Sequence, residues 1–241
     1  MKFQPLIISV HMPKAGGSTF REFLKSHVMG KMVGDYLDIP LTYSASKNLE
    51  KAKVYTKDMR LTQKLSLRYH NVKCIHGHFI AYKYVHLIRS NNTVLITWLR
   101  DPIERLGSHY YYWKRNYSKD ASPLHKEMVE NNWSLEEFCF SDQMRNIYTR
   151  FTQGLRLKDF SFIGLTEYYV EDLAYFGKHF LNLDLVHPVS KKNVNPYRPP
   201  AYFVDKGVIS SLREFHKADY DIYNYALRQR DIRLSNRPTI L

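Results

Sequence analysis

The sequence predicts an α/β fold in which helices flank a central, mostly parallel β-sheet. Short apolar runs, each bounded by turn residues, alternate with stretches that carry apolar residues at helical spacing. Of the 241 residues, 44% are hydrophobic, which is enough to build a buried core. The sequence has no internal repeat, no low-complexity segment and no linker that would divide it. We therefore expect a single domain over residues 1–241.

The N-terminal part of the chain begins with a buried strand that leads into a helix. The apolar run LIISV predicts this strand at residues 6–10. Phe20 and Leu24 recur at helical spacing and predict a helix over residues 18–29, whose apolar face lies on the sheet. Residues 30–70 mix polar, basic and turn-forming residues. We expect loops and short helices there, in a variable insertion.

The rest of the chain continues the alternation of strands and helices. Apolar, β-branched runs predict strands at residues 71–79, 93–100 and 160–167. Asp101 and Pro102 predict the start of a helix over residues 101–117. Ser134 and Glu137 form a capping box before a short helix. Further helices are predicted at residues 143–154, 167–180 and 205–228, with a polar loop at residues 187–200. This order of elements implies a mostly parallel sheet.

The composition points to anionic ligands. The chain has 36 Lys and Arg residues against 23 Asp and Glu residues, a formal net charge of +13. Nucleic acid, an acidic polysaccharide, a phosphorylated nucleotide and an anionic membrane each suit this surplus, as does a basic surface without a function. No apolar segment approaches the ~20 residues that span a bilayer, and the N-terminus lacks the features of an export signal. Cys74 and Cys139 have no partner at metal-ligand spacing, and we expect both to be buried thiols.

The segment HMPKAGGSTF, residues 11–20, has the ingredients of a phosphate-binding loop. It joins a strand to a helix, where free backbone N–H groups form an anion site and glycines let the backbone approach a ligand closely. Lys14 adds a full positive charge. Nucleotide kinases and NTPases carry the pattern G-x-x-x-x-G-K-[ST], with lysine directly before the hydroxyl residue. Here the lysine precedes the glycines, so the loop departs from that pattern. A glycine-rich turn with a surface lysine is the alternative.

The segment CIHGHF contains two histidines that are candidates for acid–base chemistry. His76 and His78 stand at i and i+2 of a predicted strand and project to one face, while Gly77 leaves the opposite face open for close packing. Two histidines also suggest zinc, but no third ligand stands at a recognised spacing, and we expect no metal. The alternative is that one or both histidines are hydrogen-bonded in the core.

The loop PKAGGST, the segment RDPIERLGSHYYY and the HGH segment together resemble the sulfotransferases that use 3'-phosphoadenosine 5'-phosphosulfate (PAPS). The last two segments are similar to the Golgi glycan branch, which includes the heparan and dermatan or chondroitin sulfate 2-O-sulfotransferases. The resemblance implies the P-loop-like sulfotransferase fold. It also implies a reaction that needs no metal and that releases adenosine 3',5'-bisphosphate.

The resemblance implies a role for each matching residue. The 5'-phosphosulfate would be bound by Lys14, Ala15, Gly16, Gly17, Ser18 and Thr19. The 3'-phosphate would be clamped by Arg100 and Ser108, because a strand end presents the guanidinium fork and the next helix carries the serine to the same side. His78 would be the general base, and His76 a supporting residue or an acceptor contact. Asp101, Glu104 and Arg105 are expected to be cap and ion-pair residues, and Tyr110 and Trp113 to be core residues.

Two weaker segments fit the same family. NIYTRFTQG resembles a stretch that packs behind the site, in which Asn146, Thr149 and Arg150 are expected to be architectural. SKKNVNPYRPP resembles a basic loop that closes over the nucleotide. Its candidates for cofactor binding are Lys191, Lys192 and Asn193, although a solvated run of charge is an equal alternative.

These observations predict an enzyme that transfers a sulfuryl group from PAPS to an acceptor hydroxyl by in-line displacement. On family grounds the acceptor is a saccharide, and a lipid or small natural-product hydroxyl is the alternative. A P-loop kinase, a non-catalytic polyanion-binding protein and a degenerate scaffold are competing hypotheses. We expect no nucleic acid partner. The sequence favours a bacterial cytoplasmic enzyme, with a Golgi catalytic domain trimmed of its anchor as the alternative.

Overall fold

The computed structural model describes residues 5–36, 45–58, 71–89, 92–184, 199, 201–203 and 205–235. In this part of the chain, five strands form one sheet in which every neighbouring pair is parallel. The strands are β1 (Leu6–Val10), β2 (Lys31–Asp35), β3 (Val72–Gly77), β4 (Thr93–Leu99) and β5 (Phe162–Leu165). Their order across the sheet is β2-β3-β1-β4-β5. The predicted α/β fold is therefore confirmed.

Ten α-helices are described. They are α1 (Gly17–His27), α2 (Ala45–Asp58), α3 (Val85–Ile88), α4 (Pro102–Arg115), α5 (Pro123–Glu130), α6 (Leu135–Cys139), α7 (Ile147–Thr152), α8 (Tyr169–Phe176), α9 (Lys206–Phe215) and α10 (Lys217–Ser235). None of these helices combines the length and the apolar character that crossing a bilayer requires.

The core lies on both faces of the sheet, because successive side chains of a strand point to opposite faces. On one face, Ile7 of β1 belongs to a buried cluster with Phe20 of α1 and Phe176 of α8. On the other face, Ile8 belongs to a cluster with Leu106 of α4 and other residues of α6, α7 and α10. The sheet is thus covered on both sides, as its apolar strands require.

Several local predictions are confirmed. The Asp101 side chain caps α4, and Ser134 and Glu137 form the reciprocal capping box of α6. Tyr110 and Trp113 are buried in the core. Cys74 and Cys139 are free, buried thiols, and burial raises the pKa of each to about 12.

Other predictions are wrong in their details. Residues 30–70 contain the edge strand β2, which the sequence did not reveal because the strand is short and mostly unburied and is defined by its backbone pairing with β3. The long helix predicted at residues 205–228 is two helices separated at His216, whose ring is fully buried. The helix predicted at residues 143–154 begins only at Ile147, because Asn146 adopts a left-handed backbone conformation with φ of 51°.

Candidate active site

The carboxyl ends of four neighbouring strands bring the candidate residues to one edge of the sheet. His11 directly follows β1, Asp35 ends β2, His78 directly follows β3 and Arg100 directly follows β4. In open parallel sheets, ligands bind in the crevice outside these carboxyl ends. The phosphate loop lies at the same edge because it leaves the central strand β1.

The phosphate loop has the geometry of an anion site. Gly16 stands at the N-cap of α1 with φ of 75°, in the left-handed region, and α1 begins at Gly17 without an acidic residue in its first turn. The first turn of a helix presents backbone N–H groups that have no partner within the helix, together with the positive end of the dipole. Ala15 and Thr19 are buried and Ser18 is exposed.

The side chain of Lys14 reaches from the loop to α4. Its Nζ is 3.6 Å from the centroid of the Tyr112 ring. Burial, followed by the charges of Arg115 and Arg100, lowers the pKa of Lys14 to about 8. Ser108, Tyr112 and Arg115 follow one another at i, i+4 and i+7, so they share one face of α4. Because Tyr112 contacts Lys14, the face of α4 that carries Ser108 lies toward the loop. Ser108 itself is half-buried.

Arg100 is held at both its backbone and its side chain. Its N–H donates to the Tyr148 hydroxyl at 3.1 Å, and that hydroxyl donates to the Arg100 carbonyl at 2.6 Å. Its Nη2 donates to Oε2 of Glu104 at 3.1 Å. The expected ion-pair role of Glu104 is thus confirmed. Arg105 is fully buried, and its guanidinium makes no ion pair within the described part of the chain. The structural role expected for Arg105 therefore stays a prediction.

His78 has one ring nitrogen fixed by the backbone. Its Nδ1 lies 2.6 Å from the His11 carbonyl oxygen. Because a carbonyl oxygen only accepts, Nδ1 carries the hydrogen, and in the neutral ring Nε2 keeps its lone pair. Burial lowers the pKa of His78, and the hydrogen bond to His11 partly opposes this shift. His78 lies one residue beyond β3, so the prediction that it stands on the strand is wrong.

His76 is more deeply buried than His78. It is 1% exposed, and its Nδ1 lies 2.9 Å from Oγ of Ser9. Burial, followed by the charges of His78 and Arg21, lowers the pKa of His76 to about 3, so its ring is neutral. The predicted close packing at Gly77 is confirmed, since a Cβ there would lie 1.6 Å from the Asp35 carbonyl oxygen.

His11 is a site residue that the sequence reasoning missed. Its ring stacks on those of His78 and His76, with centroid distances of 4.3 Å and 5.0 Å. A Cβ on Gly17 would lie 1.8 Å from Cδ2 of His11, so the ring packs directly against the phosphate loop. The parallel register pairs Val10 with Gly77, so the residues that follow them, His11 and His78, lie side by side. This register is the signal that could have indicated His11.

The sequence also did not indicate two further residues near the site, Tyr112 and Asp35. Tyr112, under the Lys14 ammonium, has only its spacing from Ser108 as a signal. Asp35 forms a buried ion pair with Lys83 at 2.8 Å and accepts from the Tyr84 hydroxyl at 2.6 Å. No group of three or more His, Cys, Asp or Glu residues that could hold a metal is found in the described ranges.

The remaining candidates lie behind the site or outside the described residues. The Thr149 N–H donates to Oδ1 of Asp219 on α10 at 3.2 Å. Oδ1 of Asn146 accepts from the Asp219 N–H at 3.4 Å, and Nη2 of Arg150 donates to the Asp142 carbonyl at 2.7 Å. These contacts are architectural, as expected. Lys191, Lys192 and Asn193 lie outside the described residues.

Comparison with known proteins identifies the class. The sequence model of the sulfotransferase domain matches residues 4–158, so the chain belongs to the sulfotransferase domain family. This family uses PAPS, and the chain is therefore a PAPS-dependent sulfotransferase. No curated protein sequence matches significantly.

Two solved structures are similar to this chain. One is a sulfotransferase from Alicyclobacillus acidocaldarius, with 13% identity over 91% of this chain and 94% of that one and a TM-score of 0.46. The other is the mouse sulfotransferase SULT7A1 complexed with PAP, with 13% identity over 87% of this chain and 62% of that one and a TM-score of 0.38.

Proposed function

We propose that this enzyme transfers the sulfuryl group of PAPS to a saccharide hydroxyl, with His78 as the general base. The observation that carries the proposal is the contact of His11 with both the phosphate loop and His78. This contact supports a base that lies beside the seat of the transferred group. The fixed Nδ1 hydrogen of His78 supports Nε2 as the atom that takes the proton.

The loop and Lys14 would bind the 5'-phosphosulfate. Backbone N–H groups of residues 16–19 and the dipole of α1 favour the anion without any metal. The Lys14 ammonium would stabilise the negative charge that develops on the oxygen between sulfur and phosphorus as the S–O bond breaks. Lys14 has a left-handed backbone conformation, with φ of 63°. A conformation that is uncommon for a residue other than glycine supports a specific role for Lys14 in the loop.

Arg100 and Ser108 would bind the 3'-phosphate, with Lys191, Lys192 and Asn193 as further candidates. Arg100 offers a planar fork of donors that suits a phosphate. Its charge and that of Arg115 both depress the pKa of Lys14, which supports a common anion site for these three cations. Binding energy from the 3'-phosphate, remote from sulfur, would orient the donor for reaction.

His78 would activate the acceptor. Its Nε2 takes the proton as the acceptor O–H bond breaks, the acceptor oxygen forms a new bond to sulfur, and adenosine 3',5'-bisphosphate leaves with the electron pair of the broken S–O bond. A positioned base contributes roughly 10²- to 10⁴-fold to the rate. His76, neutral and bonded to Ser9, would support the ring array. The saccharide assignment draws on the family resemblance and on the net charge of +13.

The proposal is tested by calorimetry with adenosine 3',5'-bisphosphate and with AMP. We expect the bisphosphate to bind at least about tenfold more tightly, because a charge-assisted pair with a phosphate is worth roughly 1.5–3 kcal/mol. Arg100→Ala should remove most of this advantage. The matched control is Arg156→Ala, which breaks an exposed ion pair with Asp159. Equal affinity of the wild type for the two nucleotides would overturn the donor site.

The acceptor is tested by transfer of radiolabelled sulfate from PAPS to a panel of saccharides, lipids and phenols. Preferential labelling of saccharides is the expected result. Labelling of a lipid or a phenol instead would leave the donor site standing and contradict the saccharide assignment.

A further inference from the structure

We propose that Tyr148 is a positioning residue that fixes the backbone of Arg100 and so aims its guanidinium at the 3'-phosphate. This inference rests on the proposed donor site. It gives Tyr148 a role in selecting nucleotides that carry a 3'-phosphate.

The contact with Arg100 is double. The Tyr148 hydroxyl accepts from the Arg100 N–H at 3.1 Å and donates to the Arg100 carbonyl at 2.6 Å. Arg100 stands between the last residue of β4 and the N-cap of α4, where the chain changes direction. The first hydrogen bond of α4 is accepted one residue later, by the Asp101 carbonyl from the Arg105 N–H. One phenol therefore bonds both polar backbone groups of the residue that joins the two elements.

The position of Tyr148 suits such a role because the residue cannot move freely. It is fully buried in the core on α7. The neighbouring Thr149 N–H is tied to Oδ1 of Asp219 on α10, and the Arg105 guanidinium lies 5.7 Å from the Tyr148 ring centroid. Burial raises the pKa of Tyr148, so the phenol keeps the proton that its bond to the Arg100 carbonyl needs.

The side chain of Arg100 is restrained from a different direction. Glu104, one turn into α4, accepts from its Nη2. The next backbone group, the Asp101 N–H, donates to Oε1 of Glu167 at 2.7 Å. With the backbone fixed by Tyr148, the guanidinium can exchange the Glu104 carboxylate for a phosphate without a search of backbone conformations. Preorganisation of this kind increases affinity by lowering the ordering cost of binding.

The test is Tyr148→Phe, which removes the hydroxyl and keeps the ring. We expect about a fivefold loss of affinity for adenosine 3',5'-bisphosphate, no larger than that of Arg100→Ala, with little change for AMP, since the hydroxyl acts only through Arg100. The matched control is Tyr110→Phe, which also removes a buried hydroxyl, one that donates to the Trp133 carbonyl at 2.8 Å. The control should leave the affinity ratio of the two nucleotides unchanged.

The ratio of the two affinities separates positioning from a loss of stability. A variant that is partly unfolded loses apparent affinity for both nucleotides equally, so its ratio does not move. The double variant Tyr148→Phe with Arg100→Ala should have the same ratio as Arg100→Ala alone, because the effect of Tyr148 passes through Arg100.

The outcomes distinguish this inference from the proposed function. No preference of the wild type for the 3'-phosphate would overturn the donor site itself. A wild-type preference that Tyr148→Phe retains as fully as Tyr110→Phe would overturn only the role of Tyr148. A further fall of the ratio in the double variant would likewise overturn it, since Tyr148 would then act on the nucleotide independently of Arg100.

Discussion

In the proposed mechanism of sulfuryl transfer, Lys14 acts in its charged form and His78 in its neutral form, and the surroundings of both side chains favour these states. Lys14 must be charged to stabilise the leaving nucleotide, and its pKa of about 8 leaves it mostly protonated at neutral pH. His78 must be neutral to take a proton, and burial lowers its pKa below the ordinary value of 6.5. Both shifts have burial as their largest cause. The partial burial of these two side chains therefore sets the pH range of the proposed reaction.

We predict a bell-shaped dependence of kcat/KM on pH, since this quantity reports groups of the free enzyme. Activity should fall below pH 6.5, at the lowered pKa of His78, as its base becomes protonated. It should also fall above about pH 8 as Lys14 loses its proton. Arg115→Gln removes a positive neighbour and should move the alkaline limb upward.

Steady-state assays between about pH 5 and about pH 10 measure both limbs. His78→Ala should lose the acid limb together with most of the rate. An alkaline limb that Arg115→Gln leaves in place would contradict the assignment of that limb to Lys14.

The site residues differ in how far the sequence could reveal them. Lys14 and the glycines were predictable because a strand, a loop and a helix are consecutive in the chain. His11 and Tyr148 were not, because their significance depends on contacts with residues 67 and 48 positions away, respectively. Local spacing carries no information about such contacts.

At the scale of elements, α4 depends on chemistry at its first residues. The Asp101 carboxylate accepts from the N–H groups of Ile103 and Glu104 at 3.0 Å and 3.1 Å. The Tyr220 hydroxyl of α10 also donates to this carboxylate. The cap therefore fixes both the start of the helix that carries Ser108 and the position of α10. The sequence predicted the cap from Asp-Pro, but not the contact with α10.

We predict that Asp101→Ala lowers the free energy of unfolding by about 2 kcal/mol, the sum of a lost N-cap and a lost tertiary hydrogen bond. The matched control is Asp205→Ala, which removes the N-cap of α9; among the described residues this cap accepts from the Val208 N–H alone, and its loss should cost about 1 kcal/mol. Urea unfolding measures both values. If Asp101→Ala lowers the free energy of unfolding no more than Asp205→Ala does, the contact of Asp101 with α10 does not contribute to stability.

In the molecule as a whole, several buried histidines make stability depend on pH. Burial lowers the pKa of His76 to about 3 and that of His216 to about 4, and it lowers those of His11 and His109 strongly. At His216, Nε2 donates to the Cys139 carbonyl and Nδ1 accepts from the Asn146 N–H, an arrangement that suits only the neutral ring. Protonation of Nδ1 would place its N–H directly against the Asn146 N–H.

We predict that the free energy of unfolding falls as the pH drops from about 7 to about 5. A lowered folded-state pKa stabilises the fold fully above the unfolded value of 6.5, and this contribution is lost as the pH falls toward the folded value. Each histidine that stays neutral in the folded state adds about 1.4 kcal/mol per pH unit to the slope of the free energy of unfolding against pH. Urea unfolding at several pH values should show a slope reduced by that amount in His216→Gln. A slope equal to that of the wild type would contradict a neutral His216.

The sequence by itself determined the α/β class, the phosphate loop after β1 and the start of α4, because each depends on the local chemistry of consecutive residues. Only the tertiary structure decided that residues 31–35 are a strand, that the C-terminal helix divides at His216 and that Tyr148 holds Arg100. These features depend on the pairing and burial of residues far apart in the chain. Their free energy comes from contacts that exist only after the sheet has assembled.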